Sequence, residues 1–431
     1  MLSMSFPSFP SFPSGMSQAD IEQELEQLRA SDSDVRATFG DRWLNDRGLL
    51  LDDGALQVAK KACDTFFTKN NSSSVIKPLE GELVAWVLNL FHGGSSAAGV
   101  LTSGGSESLF LATAAAFAKF QETNGAGISC EAVIPETGYP TFEKYSRYLG
   151  YSVRRVPVDE AFRADPDAMD AAISDKTFMI LGSMSSWAHG ACDPIPALAA
   201  VAQSRNVWLH VDACVGGMLA PFGQELGREI VDFDFSVPGV NTISVDFHKY
   251  GYSAKGVSGL LFRDRALAEH QTFAFDDWAA GYYRSPVLTG TRSGGAIASA
   301  WAVAKYLGRD GYMRRAAQVF KARDKIVAAV ESSPDLALLG GADLGTVAIG
   351  SDTLDIFAVA SCLGSAGWSV NSLTAPDGIQ LVLGPVIDTH IDAFTEDLGR
   401  AVDEVKGETG SQPARQVVYS DEIASGPGAL C

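Results

Sequence analysis

From about residue 130 to residue 262, short apolar, β-branched runs alternate with longer helical stretches, and this alternation constrains the fold more than any other feature. Apolar runs so short and continuous are strands buried on both faces, with the intervening helices crossing over the sheet. A mostly parallel sheet in an α/β fold follows. Strands are predicted over 132–135, 178–182, 207–211, 242–245 and 257–262, and helices over 107–121, 141–149, 196–203 and 294–306. A long helix near 312–323 leads out of this body. From about 326 to 405 the chain reads as a smaller α+β domain, with strands near 346–349 and 379–383.

At 431 residues the chain exceeds what one core usually supports. The predicted organisation is an N-terminal arm and helix (1–55), a large domain (56–315), a small C-terminal domain (316–410) and a flexible tail (411–431). The arm opens on a Phe-Pro-Ser repeat, followed by a charged helical stretch over 19–31. Lysine and arginine total 33 against 52 acidic residues, a net charge of −19. Such a surface repels phosphate backbones and anionic lipid, so neither nucleic acid nor a membrane is an expected partner. No apolar run is long enough for a membrane span, and the first residues lack the basic start of a secretory signal. Six cysteines lie far apart, without metal-ligand spacing. They read as reduced thiols in a cytoplasmic enzyme that holds no metal.

Three segments carry candidate chemistry. Thr102-Ser103-Gly104-Gly105-Ser106-Glu107-Ser108 is a glycine- and hydroxyl-rich turn running into an apolar helix, a geometry that presents backbone N–H groups to a phosphate. Read plainly, it is a tight turn with Ser106 as N-cap. Asp212 ends the apolar run Val207–Val211, where α/β sheets place their ligand chemistry. A buried carboxylate there needs a cation or a donor. Lys249 follows another apolar strand beside His248, 37 residues on (249 − 212). Desolvation is expected to lower its pKa and make it an amine nucleophile. Taken singly, each has a structural reading. Together they are an anion hole, a pyridinium partner and a Schiff-base lysine, which is what pyridoxal phosphate requires. Tyr139 is the candidate ring to stack on the pyridine.

With these residues in view, the chain resembles fold-type I pyridoxal-phosphate enzymes of the group II decarboxylase superfamily, and within it the sphingosine phosphate lyases. The resemblance runs from about Ser74 to Ala401. It rests on LTSGGSES (101–108), GSMSSWAHGACDPI (182–195), HVDACVGG (210–217), SVDFHKYGYSAKG (244–256), YYRSPVLTGTRSGG (282–295) and AGWSVN (366–371). It implies a large domain built on a mostly parallel seven-stranded sheet, plus a small C-terminal α+β domain. It also implies a homodimer with shared active sites. Lys249 would bind the cofactor aldehyde, with His248 beside it, and Asp212 would pair with the ring nitrogen. Gly105 and Ser106 would hold the phosphate, joined by Gly290 and Thr291 from the partner subunit, and Ser186 would reach the ring oxygen. Lys255 matches a lysine credited in the lyases with binding substrate phosphate. The chain departs from the pattern twice. Tyr139 stands where a histidine stacks on the cofactor, so that ring cannot act as an imidazole. The substrate loop near the N-terminus is Lys69-Asn70-Asn71-Ser72-Ser73-Ser74, with Asn71 and no histidine. A long-chain lipid is therefore disfavoured as substrate.

The expected activity is a pyridoxal-phosphate-dependent carbon–carbon lyase, of retro-aldol or reverse-aldol type, acting on an amino compound that can carry a phosphate. The alternatives are an L-amino-acid decarboxylase, with Arg284 or Lys255 anchoring the carboxylate, and a biosynthetic enzyme that joins a decarboxylated carbanion to an aldehyde.

Overall fold

The computed structural model describes residues 16–31, 43–44 and 53–407. The Phe-Pro-Ser repeat and the segment expected as a tail lie outside these residues. The charged N-terminal stretch forms the helix Gln18–Ser31.

Seven strands form the main sheet: β1 (Ala98–Thr102), β2 (Glu131–Pro135), β3 (Ser152–Val156), β4 (Thr177–Ser183), β5 (Trp208–Asp212), β6 (Val240–Asp246) and β7 (Ser258–Phe262). Their spatial order is β1-β7-β6-β5-β4-β2-β3. The pairs from β3 to β6 are parallel, and β7 is antiparallel to both β6 and β1. All five predicted strands are present. The two that sequence reading missed, β1 and β3, are the sheet's edges. β3 alternates exposed and half-buried residues and carries Arg154 and Arg155, so it shows no continuous apolar run. β1 has a glycine at 99, where an added Cβ would lie 2.7 Å from the Leu261 side chain. The pattern there is set by close packing and not by side-chain hydrophobicity.

Helices cover both faces, as buried parallel strands require. The helix Gly105–Asn124 runs against β6 and β7, and Ile195–Arg205 ends at Asn206 in a left-handed conformation just before β5. Two further helices, Asp53–Thr65 and Ile76–Leu90, pack on the element Gly294–Glu331. The predicted helices 294–306 and 312–323 are parts of that one element. It is capped by Ser293 Oγ and broken at Gly308, which sits at φ 55°. The expected domain boundary at 315 falls within it.

Beyond it, Ala337–Leu338, Thr346–Gly350, Ser369–Thr374 and Asp377–Val382 form a small sheet, with Trp43–Leu44 added in parallel at its edge. One contact ties this sheet's approach to the main domain. Arg163 donates to both oxygens of Asp343 at 2.8 and 2.9 Å, and Asp343 Oδ2 accepts from Cys192 N at 2.7 Å. The loop after β4 is thereby fixed against the small domain. Among the described residues, no helix is long and apolar enough to cross a membrane.

Candidate active site

A cavity of about 320 Å³ opens at the C-terminal ends of β4, β5 and β6, where the parallel strands deliver their last side chains. Seven of the predicted residues line it: Gly105, Ser106, Tyr139, Asp212, His248, Lys249 and Lys255.

The turn after β1 forms one wall. The helix begins at Gly105, and its N-cap is Gly104, with no side-chain cap. Ser106 is therefore inside the first turn and is not the N-cap. The first-turn amides have no helical acceptor, which leaves them for an anion. Glu107 fixes the turn. Its Oε2 accepts from Ser103 N at 2.6 Å, and its Oε1 accepts from Leu288 N at 2.9 Å and Thr289 N at 3.2 Å. Gly105 has to be glycine here. A Cβ would stand 2.9 and 3.0 Å from the two Asp246 carboxylate oxygens and 3.0 Å from Cys214 Sγ.

Asp212 closes β5, buried, with Oδ1 accepting from Cys214 N at 3.1 Å and Ser244 Oγ at 3.2 Å. Both bonds fall on one oxygen, which leaves Oδ2 for a ligand. Burial raises the Asp212 pKa, and the nearby Lys249 charge only partly opposes it. That charge is engaged elsewhere. Lys249 Nζ lies 3.0 Å from Asp246 Oδ2, and Asp246 also accepts from Ser258 Oγ at 2.5 Å. Burial would lift the Asp246 pKa, but Lys249, His248 and Ser258 together hold it below the usual value.

The expectation that desolvation lowers the Lys249 pKa is overturned. Burial does pull it down, but Asp246, Cys214 and Asp212 outweigh burial, and the net shift is upward. The sequence reading weighed burial alone and missed the carboxylate three residues earlier at the same strand end. His248 places Nε2 3.6 Å from Asp246 Oδ2, and burial lowers its pKa.

Other residues reach the site without having been predicted. Asp246, Ser185, Trp187, Cys214 and Asn371 line the cavity. The spacing D-x-x-K would have flagged Asp246, but Asn371 comes from the small domain and no local pattern marks it. Four predicted residues lie apart from this chain's cavity. Gly290 and Thr291 are exposed. Arg284 pairs with Glu269 at 2.6 Å on the hairpin Phe273–Phe275/Tyr283–Ser285. Asn71 Oδ1 accepts from Arg292 N at 2.8 Å. Ser185 lines the cavity; its predicted neighbour Ser186 does not, although both hydroxyls are buried without a hydrogen-bond partner among the described residues.

These groups fit pyridoxal phosphate. Two buried carboxylates share one ammonium, so a protonated ring nitrogen beside Asp212 supplies the second positive charge. The Gly105–Ser106 turn suits the phosphate, and the unpartnered serine hydroxyls suit a ring oxygen.

Fold and site together define a fold-type I pyridoxal-phosphate enzyme. Residues 55–349 match the pyridoxal-dependent decarboxylase conserved domain, and the chain belongs to that family, whose cofactor is pyridoxal phosphate. Sphingosine-1-phosphate lyases of Arabidopsis thaliana and Oryza sativa are 37% and 36% identical over 83% and 78% of this chain. The alignments cover 67% and 63% of those proteins, so the chain spans about two thirds of the length of these relatives. A solved sphingosine-1-phosphate lyase from Burkholderia pseudomallei superimposes with a TM-score of 0.87 at 34% identity, over 94% of both chains. A glutamate decarboxylase from Lactobacillus brevis shares the fold, with a TM-score of 0.80 at 19% identity over 94% of this chain and 97% of its own.

Proposed function

We propose that this protein is a pyridoxal-phosphate-dependent carbon–carbon lyase that cleaves a phosphorylated amino alcohol to an aldehyde and a phosphorylated amine. The observation that carries the reading is a second lysine, Lys255, lining the same cavity as Lys249. Its charge is close enough to lower the His248 pKa. A cation that is not needed for the cofactor aldehyde suits a second phosphate, the one on the substrate.

When bound, the cofactor supplies an aldehyde carbon that takes up amines and a protonated ring that accepts electrons from a bond at the amino-bearing carbon. Lys249 would hold that aldehyde until a substrate amine takes its place. To react, its ammonium must release a proton, and Asp246 Oδ2 at 3.0 Å is the nearest acceptor. Asp212 would keep the ring nitrogen protonated, and Tyr139 would supply a ring to pack on it. His248, whose lowered pKa keeps it neutral, takes the substrate hydroxyl proton.

The decarboxylase alternative has less support. The relatives described above that share a third or more of its residues are carbon–carbon lyases, and Arg284, one of the two candidate carboxylate anchors, pairs with Glu269 away from this chain's cavity. The homodimer reading draws support from the position of Gly290, which lies near Tyr283 on a hairpin with exposed Phe273, Phe275, Trp278 and Tyr282. A surface so apolar suits burial against a second subunit, which would carry Gly290 and Thr291 to the neighbouring site. The cytoplasmic location rests on the cysteine spacing alone.

The deciding assay offers the cofactor-loaded protein phosphorylated amino alcohols and L-amino acids, and measures aldehyde and carbon dioxide. Aldehyde without carbon dioxide is expected. Carbon dioxide from amino acids with no aldehyde from the alcohols would make the enzyme a decarboxylase. In Lys255→Ala, KM for a phosphorylated substrate should rise about tenfold, the worth of one charged contact, while the unphosphorylated analogue changes little. An equal change in both would remove Lys255 from phosphate recognition.

A further inference from the structure

The cavity receives one residue from the small domain whose orientation is fixed by a chain of hydrogen bonds. Asn371 and Gln380 are directly opposed on the antiparallel strands Ser369–Thr374 and Asp377–Val382, so their side chains share a face. Gln380 is 2% exposed. Its Nε2 donates to Trp187 O and, at 3.3 Å, to Ala188 O. Carbonyl oxygens only accept, so the Gln380 nitrogen must face them and its Oε1 must face the other way. Oε1 accepts from Asn371 Nδ2 at 2.7 Å. The Asn371 amide is thereby fixed as well, with its nitrogen toward Gln380 and its Oδ1 turned from that bond. Among the described residues no hydrogen bond to Asn371 Oδ1 is assigned, and Asn371 lines the cavity with Asp212, Lys249 and Lys255.

From this we infer that Asn371 is a specificity-determining residue that selects a substrate bearing a hydroxyl, and rejects one bearing a carboxylate, on the carbon next to the amino-bearing one. Gln380 is its positioning residue. An acceptor oxygen receives a hydrogen bond from a hydroxyl and repels a carboxylate. Among the described residues the small-domain wall adds Val382 beside it and no cation that would hold a carboxylate. The same lock joins the loop after β4, through Trp187, to the small-domain strand that bears the selector. The inference rests on the proposed amino-alcohol reading, and it names the group that the reading left unassigned.

Two matched pairs of probes test it. 2-Amino-3-hydroxypropyl phosphate and O-phosphoserine differ only in a hydroxymethyl group against a carboxylate, and so do serinol and serine. Each is titrated into the cofactor-loaded protein, and binding is followed by the visible absorbance change as its amine displaces Lys249. The wild type should bind the hydroxymethyl member of each pair more tightly. Asn371→Ala should shrink that preference about threefold to tenfold, one hydrogen bond's worth, in both pairs. Gln380→Leu should shrink it too, because Asn371 can then turn its amide. Asn371→Ser, which keeps a short acceptor, should recover part of it.

Asn371 is only half-buried, so the Asn371→Ala result holds if Gln380→Leu fails to fold. A preference unchanged in Asn371→Ala, or no preference in the wild type, overturns the inference. The contrast between phosphorylated and unphosphorylated probes reads Lys255 separately. Loss of that contrast with the hydroxymethyl preference intact would sink the phosphate reading and spare Asn371.

Discussion

Lys249→Ala is expected to abolish the visible absorption band that forms when pyridoxal phosphate is added to the wild-type protein, and to lower aldehyde release by at least about 10³-fold, since Lys249 is the cavity amine at the strand end beside Asp246. Lys255 is the test of that statement. If it took over, a weak band would persist in Lys249→Ala and vanish in the double variant. A full band in Lys249→Ala would refute the assignment of the lysine. The substitution also leaves a mark without cofactor. In the wild type, Lys249 helps hold the buried Asp246 below its ordinary pKa, so the pair stabilises the fold above the unfolded carboxylate value of about 3.9 and that contribution is lost as the pH falls. Without the lysine, burial is opposed only by His248 and Ser258, so the Asp246 pKa is expected to rise and its ionised form to contribute less to folding. The melting temperature of the variant should fall further below that of the wild type as the pH is raised from about 4 to about 7. A gap constant over that range would mean that the 3.0 Å contact contributes little.

Asp212→Asn should separate cofactor capture from catalysis. The amide keeps the shape of the carboxylate, so Lys249 should still take up pyridoxal phosphate and give a visible band. It cannot hold the ring nitrogen protonated, and aldehyde release should fall on the order of 10³-fold, as when a preorganised charge is removed from a reacting site. The apo-protein should be at least as stable as the wild type at neutral pH. Burial raises the Asp212 pKa, so its ionised form works against folding there, and a neutral amide removes that opposition. Unchanged turnover in Asp212→Asn would show that the ring nitrogen's partner lies elsewhere.

The two predictions draw on different levels of information. Lys249, Asp212 and the Gly105–Ser106 turn were legible in the sequence because each follows a buried strand, and a continuous apolar run that stops at a charged or glycine-rich residue marks a strand's C-terminal end. The edge strands β1 and β3 were not legible, because a strand with one open side lacks that run. The plain reading of Ser106 as an N-cap fails, since the helix starts two residues earlier, where Gly105 packs against Asp246 and Cys214.

By itself the sequence determined the sheet's interior strands, the cofactor and most of the strand-end and turn residues that line one cavity, because these follow from local patterns: the period of hydrophobicity and the residue types at strand ends. Only the tertiary structure decided the rest. It set the direction of the Lys249 pKa shift, since charge pairing at 3.0 Å outweighs burial and a sequence gives no distance. It separated Arg284 and Asn71 from this chain's cavity and brought Asn371 into it. Asn371 lies 159 residues beyond Asp212 (371 − 212), on a different sheet, and only the packing of the small domain against the loop after β4 makes the two neighbours across one cavity.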